Sequence, residues 1–359
     1  MLKSLKIENF RGFQSFELQQ LGRINLLVGE NNSGKTSVLE AVELLCSRAN
    51  PETFEAIHEI MLSRGEYLWV GGDDGERELD IRHLFHSRQM KLDSSFSILG
   101  DSQIGKEKLD ASIKLVSEPT STFEEAELAI NWLSDSKKQQ THRSLSPSSG
   151  FPVNSTIIRL RDEPNRSVVR TQFVRSSSLT ARKMINLFSQ VVLTPEENFV
   201  NQALKVVDPR IERIAVKNMG FTYSSDVRGG IVAGLSNSEY PVPLGSLGDG
   251  IWRMLGLAVA LVNVRSGVLL VDEIDTGLHF STMTKMWKLV WETAKQLNIQ
   301  VFATTHSRDC WQSLAELVEA EKVDEDEITI HRIDRQKPNS AVFDAEMIVI
   351  AANQGIEVR

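Results

Sequence analysis

Apolar and polar positions alternate from the first residues, so Met1-Leu2-Lys3-Ser4-Leu5-Lys6 reads as the start of a strand and lacks the apolar core of a leader peptide. The alternation predicts strands over 2–9 and 14–18, on either side of Arg11-Gly12-Phe13. A continuous apolar strand over 24–28 follows. Next comes a helix over 36–47 with Val38, Leu39, Val42 and Leu45 on one face. From Asn50 to Arg182 the character changes. Short alternating segments at 79–85, 95–99, 111–116, 126–133, 156–160 and 168–174 are separated by turn-rich stretches at 71–75 and 144–150, with some helix at 53–63. Pro119, Pro147, Pro152 and Pro164 interrupt this region, and the absence of a heptad run argues against a long coiled-coil arm.

After Pro195 the α/β pattern returns. Strands are predicted at 211–217 and 230–233, a buried helix at 251–264 and a buried strand at 268–271. An amphipathic helix at 281–296 leads to another buried strand at 299–303, and segments 328–333 and 341–349 close the sheet. The acid-rich stretch 316–327 reads as a solvated helix and turn. The expected organisation is one α/β unit built from 1–50 and 190–359, with 51–189 as an inserted, mostly β or α+β lobe.

Composition narrows the class. The 359 residues are 41% apolar and 25% charged, as in a globular protein with a full core. A net charge of −8 argues against a wholly basic nucleic-acid binder, while leaving room for a local basic face. Cys46 and Cys310 have no partner spacing, so neither a disulfide framework nor a zinc site is expected, and Cys46 reads as core. The longest apolar run, 254–262 between Arg253 and Asn263, is far short of a membrane span. The expectation is a cytoplasmic protein without membrane contact.

The chemistry is concentrated in short stretches. Gly29-Glu30-Asn31-Asn32-Ser33-Gly34-Lys35-Thr36 fits G-x-x-x-x-G-K-[ST] between a strand and a helix. Glycines allow the tight turn that presents backbone N–H groups to phosphate; Lys35 neutralises β- and γ-phosphates, and the Thr36 hydroxyl ligates Mg²⁺. Asp272-Glu273 ends the apolar run 268–271. Asp272 suits a water-mediated Mg²⁺ contact and Glu273 the polarisation of an attacking water, although an acidic pair after a strand is equally a helix cap when taken alone. Leu244-Gly245-Ser246-Leu247-Gly248-Asp249-Gly250 precedes a buried helix and reads either as a second anion site or as a glycine-rich cap. His306, after Thr304-Thr305, suits a γ-phosphate sensor, against the commoner structural role of a lone histidine.

Together these motifs resemble the ABC-type ATPase heads of the SMC/RecF/OLD class. Ile7-Glu8-Asn9-Phe10-Arg11-Gly12-Phe13 looks like their N-terminal strand motif, and residues 29–36 followed by Ser37-Val38-Leu39-Glu40-Ala41 look like their Walker A loop and helix. Ser246-Leu247-Gly248-Asp249-Gly250 is similar to the degenerate signature of the RecF/OLD branch, Asp272-Glu273 to Walker B, Asp275-Thr276-Gly277-Leu278-His279 to the D-loop, and His306 to the switch histidine. The resemblance covers roughly 1–50 and 190–335. It implies an ABC head with a mixed central sheet and an antiparallel β lobe. It also implies a head-to-head homodimer holding ATP and Mg²⁺, in which residues 29–36, Asp272, Glu273 and His306 of one subunit meet Ser246 and Gly248 of the other. Asp275 would couple the sites and Arg11 would approach the nucleotide.

Two departures stand out. The signature is not the transporter form Ser-Gly-Gly-Gln, and the family's lid glutamine has no clear counterpart. An expected strand at 191–193 is followed by Thr194-Pro195-Glu196-Glu197-Asn198, where Glu196 or Asn198 could substitute. No metal-ligand cluster marks a nuclease, and the stretch after His306 is short for a Toprim domain, so output chemistry is expected from a separate effector. Arg159, Arg161, Arg166, Arg170, Arg175, Arg182 and Lys183, against Asp162 and Glu163, give the later insertion a basic bias that reads as DNA contact or as solvated strand faces. The expected function is a DNA-responsive ATPase in anti-phage defence or RecF-like repair. The competing reading is a regulatory switch that clamps a protein partner without nucleic acid.

Overall fold

The computed structural model describes residues 1–70, 76–86, 88, 91–116, 125–146, 150–152, 169–217 and 228–359. The expected strand at 156–160, together with Arg159, Arg161, Asp162, Glu163 and Arg166, lies outside the described residues. The chain forms two compact units. The first comprises 1–20, 32–169 and 334–340, and the second 21–31, 170–333 and 341–359.

In the first unit a hairpin joins Leu2–Phe10 to Phe13–Leu18, with Arg11 and Gly12 at the turn between paired Phe10 and Phe13. Arg11 takes the left-handed conformation there, at φ 54°. The hairpin belongs to a six-stranded sheet in the order 13–18, 2–10, 95–102, 105–116, 125–134, 138–144, with every neighbouring pair antiparallel. This is the expected antiparallel lobe. Alternation along Ser95–Ser102 and Glu125–Ser134 buries Phe96, Ile98, Leu128, Ile130 and Trp132. The helix Lys35–Ser47 packs on this sheet. At Gly100 it comes so close that a Cβ would lie 2.6 Å from Leu45 Cδ2. The helix Glu52–Ser63 packs against Lys35–Ser47 in turn.

Residues 79–85 do not form the predicted strand. The strand Glu76–Leu79 stops because the Asp80 carboxylate accepts from Arg82 N at 3.3 Å and caps a short 3₁₀ turn, Ile81–Leu84.

The second unit is built on a sheet ordered 171–174, 268–271, 300–304, 24–28, 328–332, 341–343. The first five strands are parallel and the last is antiparallel, giving the expected mixed sheet. Strands Ile24–Val28, Val268–Val271 and Gln300–Thr304 are buried at every position, as strands covered on both faces must be. The helix Asp249–Asn263 is buried from Ile251 to Val262, which accounts for its all-round apolar sequence. A small sheet of Ile211–Val216, Ile231–Leu235 and Val242–Pro243 stands beside it.

Three expectations are corrected in this unit. Residues 168–174 are not an inserted antiparallel strand; the described part, Thr171–Val174, runs parallel to Val268–Val271. Residues 191–193 form a turn, because Pro195 opens the helix Pro195–Val207 and the Glu197 carboxylate accepts from Leu193 N at 2.7 Å. Only Ala341–Phe343 of the segment 341–349 is strand. Asp344 accepts from Met347 N at 2.9 Å and starts the helix Ala345–Gln354. Among the described residues no helix is long and apolar enough to cross a membrane.

Candidate nucleotide site

Parallel strands carry functional loops at their carboxyl ends, and the second unit follows that rule. Register pairs Val271 with Ala303 and Thr304 with Leu27, so three adjacent strands end side by side. From one sheet edge therefore emerge Gly29-Glu30-Asn31, Asp272-Glu273 and Thr305-His306. The His306 strand lies between the strands that lead to Gly29 and to Asp272.

The acidic pair is held in detail. Thr304 Oγ1 donates to Asp272 Oδ1 at 2.7 Å and accepts from Glu273 N at 2.8 Å. Glu273 sits at φ 49°, a strained conformation for a non-glycine residue, and its Oε2 accepts from Thr276 Oγ1 at 3.3 Å. Beneath them lies Arg253, only 3% exposed, on the helix Asp249–Asn263. Its guanidinium donates to the carbonyls of Asp272 at 2.6 Å and Glu273 at 2.9 Å, and to that of Arg175. Burial lowers its proton affinity, and the nearby Asp272, Asp275 and Glu273 act in the opposite sense. Asp275 Oδ1 accepts from Thr305 Oγ1 at 2.6 Å, and that hydroxyl also accepts from Ser307 N at 2.9 Å. Ser307 caps the helix Arg308–Glu321, while Arg359 Nη1 donates to the His306 carbonyl at 2.6 Å.

The residues after Gly248 meet the segment 275–279 within the same unit. A Cβ on Gly250 would lie 2.7 Å from the Gly277 carbonyl, and Gly277 itself adopts φ 76° against Asp249. Gly248, at φ 104°, has open space around it and no side chain caps the helix that follows. Ser246 is exposed, and its hydroxyl donates to the Pro243 carbonyl at 2.7 Å; Asp249 pairs with Arg228.

The phosphate loop passes from the second unit to the first between Asn31 and Asn32. Positive φ at Gly29 (140°), Asn32 (62°) and Gly34 (104°) gives the loop the left-handed turns that a tight backbone curl requires. The helix Lys35–Ser47 starts with no side-chain cap and no acidic residue in its first turn, which suits an anion. Lys35 is 5% exposed, and its Nζ lies 3.4 Å from Ser33 Oγ. Gly34 packs on the ring of Phe13, which leaves no space for a Cβ. Among the described residues no group of three or more His, Cys, Asp or Glu side chains gathers to hold a metal.

Arg11 is placed in the first unit, 8% exposed, with Nε on Glu40 Oε2 at 3.1 Å and Nη1 on Glu66 Oε1 at 2.5 Å. Of the lid candidates, Glu196 pairs with Arg265, and Asn198 is exposed in the first turn of its helix. Both cysteines are buried and free; burial pushes the Cys46 thiol up to about 12. Sequence reasoning assigns no role to Arg253, Thr304 or Arg359. The signal for Arg253 was present, as a basic residue in a helix otherwise apolar from Ile251 to Val262.

Residues 24–309 match the family described as "AAA domain, putative AbiEii toxin, Type IV TA system". An ATP/GTP phosphatase of Helicobacter pylori is 22% identical over 349 residues, covering 89% of this chain and 88% of that protein. The DNA replication and repair protein RecF of Clostridioides difficile is 37% identical over 71 residues, 20% of this chain and 19% of RecF. The Smc head domain with an extended coiled coil, bound to the C-terminal domain of ScpA from Pyrococcus furiosus, aligns over 99% of both chains. Its TM-score of 0.51 at 9% identity is a likeness of fold.

Proposed function

The chain belongs to the family of AAA domains described as "putative AbiEii toxin, Type IV TA system" and is an ABC-type ATPase head of the SMC and RecF class; from that premise we propose that it dimerises head to head on Mg²⁺ and ATP and couples hydrolysis to a DNA-related process through a separate effector. The observation that carries this reading is the shared sheet edge from which Gly29, Asp272, Glu273 and His306 emerge. In this scheme residues 29–37 cradle the phosphates, with Lys35 neutralising charge and Thr36 and Asp272 holding Mg²⁺. Glu273 orients the attacking water and takes up its proton, and His306 reports the γ-phosphate.

The exposed Ser246 and Gly248, ahead of an uncapped helix, have the form of a surface that completes a site on a second copy. Packing of the Gly248–Gly250 turn on Gly277 links that surface to Asp275 in the D-loop. Residues 1–50 and 190–359, joined by the strand Thr171–Val174, then act as the head, and the remainder of 51–189 as the part that senses or docks. Anti-phage defence or repair in the cytoplasm is the setting in keeping with the matched family and with RecF.

The test is the light-scattering mass of Glu273→Gln with and without Mg-ATP, repeated with a short DNA duplex. The proposal expects a doubling on ATP that DNA enhances. A mass that stays monomeric with ATP demonstrably bound would sink the head-to-head scheme. Doubling indifferent to DNA would sink the DNA link and leave the clamp on a protein partner.

A further inference from the structure

In the first unit, arginines gather around the turn at Gly12, where Arg11 and Arg64 share one buried carboxylate, Glu40. The Arg335 guanidinium packs on the Gly12 backbone, 2.6 Å from where a Cβ would stand. Burial, and after it the charges of Arg64 and Arg88, lower its proton affinity. Arg64 Nε donates to Glu40 Oε1 at 2.6 Å, and the same fully buried carboxylate serves Arg11 through its other oxygen. Arg11 thus engages Glu40 and Glu66, and Arg64 shares Glu40 with it. Among the described residues Arg335 and Arg88 make no ion pair. Arg11 supplies a second sign of a missing acceptor, because its Nη2 is buried without a hydrogen-bond partner. Buried donors are almost always satisfied, and like charges are brought together where an anion offsets them.

We propose that Arg64, Arg88 and Arg335, backed by Arg11, form a binding patch for the phosphate backbone of duplex DNA. All three outer arginines are exposed, so they can reach separate phosphates of a polyanion. On a chain of net charge −8 such a patch directs DNA to one place. Its position also gives it a route to the nucleotide loop: Gly12 carries Arg335, and the next residue, Phe13, packs on Gly34. DNA pressing on Arg335 would bear on the segment that shapes the start of the phosphate-loop helix. The patch deepens the DNA-linked reading above and rests on it.

The experiment measures anisotropy of a labelled duplex over a salt series, with the wild-type chain and the variant Arg88→Ala/Arg335→Ala. A fluorescent ATP analogue is titrated in parallel, and thermal unfolding verifies that the variant folds. Each phosphate contact removed flattens the log–log salt slope by about 0.9, so the double variant should lose up to roughly 2 from the slope and bind roughly tenfold or more weakly. Analogue binding should be unchanged. DNA binding by the variant with wild-type strength and slope overturns the patch and leaves the DNA link standing. Failure of the wild-type chain to bind DNA at all overturns both. Loss of analogue binding in step with DNA would assign the arginines to the nucleotide and overturn the patch.

Discussion

Thr304 Oγ1 donates to Asp272 Oδ1 at 2.7 Å, and the same oxygen accepts from the amide of Glu273 at 2.8 Å. One hydroxyl on the strand ending at His306 therefore sets both the orientation of the magnesium-type carboxylate and the strained backbone of the proposed base. Thr304→Val keeps shape and removes both bonds. Each unmatched group costs about 1–3 kcal/mol, so ATP turnover should fall roughly tenfold or more while analogue binding stays near wild type. Thr304→Ser should restore most of the loss. Steady-state phosphate release decides it, and a valine variant that turns over like wild type would show that Thr304 positions nothing of consequence.

Arg253 holds the backbone of the same two residues from below, with a third bond to the Arg175 carbonyl. Replacing it with Met fills much of the volume but removes three bonds from a charged donor and takes the side-chain donor from the Asp272 carbonyl, while the carbonyls of Arg175 and Glu273 keep the amides of Ser178 and Thr276. Bonds from charged donors are worth roughly 1.5–3 kcal/mol each, so unfolding in urea should show a loss of at least about 3 kcal/mol. Arg253→Lys should recover only part, because an ammonium lacks the planar fork that reaches separate carbonyls. Equal stability of the Lys variant and wild type would refute the fork argument.

How legible this was in sequence depended on where each partner lay. Strands 24–28, 268–271 and 299–303 were readable because a parallel strand covered on both faces must be apolar throughout. The motifs at their ends were readable because phosphate chemistry demands particular residues at fixed spacing. Val191, Val192 and Leu193 look like strand in a short window, yet Pro195 and Glu197 make them a turn. Ala341-Val342-Phe343 and the apolar residues after them look continuous, and the Asp344 cap divides them. Thr304 and Arg253 were illegible for another reason. Their partners are a side chain and backbone groups about 20 to 80 residues away, brought close by strand register for Thr304 and by the packing of the helix Asp249–Asn263 for Arg253.

Gly34 joins two constraints that can be separated by experiment. Its φ of 104° disfavours any side chain, and the Phe13 ring occupies the space a Cβ would need. Gly34→Ala should therefore abolish or severely weaken ATP-analogue binding. Adding Phe13→Ala should return part of the folding stability, while the backbone strain of about 1–3 kcal/mol persists. A double-mutant cycle on unfolding free energy measures the coupling between the two positions. Additive effects would mean that the ring does not confine the loop.

His331 gives the fold a pH signature of its own. It is fully buried on the strand Ile328–Arg332, with Nε2 3.0 Å from Thr329 Oγ1, and burial pushes its pKa from 6.5 down to about 3. The folded chain keeps this imidazole neutral, while the unfolded chain takes up a proton below about pH 6.5. Since the unfolded state binds more protons in that window, stability is fully present above pH 6.5 and declines as pH falls toward 3. The slope approaches about 1.4 kcal/mol per pH unit once the unfolded imidazole is protonated. Glu197, held low chiefly by its bond to Arg213, acts in the same direction but only as pH drops below its ordinary value of 4.5. Glu55, raised above 4.5 first by burial and then by Glu52 and Glu59, acts in the opposite direction above 4.5, so the histidine is isolated by comparing wild type with a His331 variant between pH 6.5 and 5. His331→Gln should be less stable than wild type at pH 7.5 if it loses packing, and its unfolding free energy should change by roughly 2 kcal/mol less than wild type between pH 7 and 5. Identical pH slopes for the two proteins would show that the buried imidazole is not what makes this fold sensitive to mild acid.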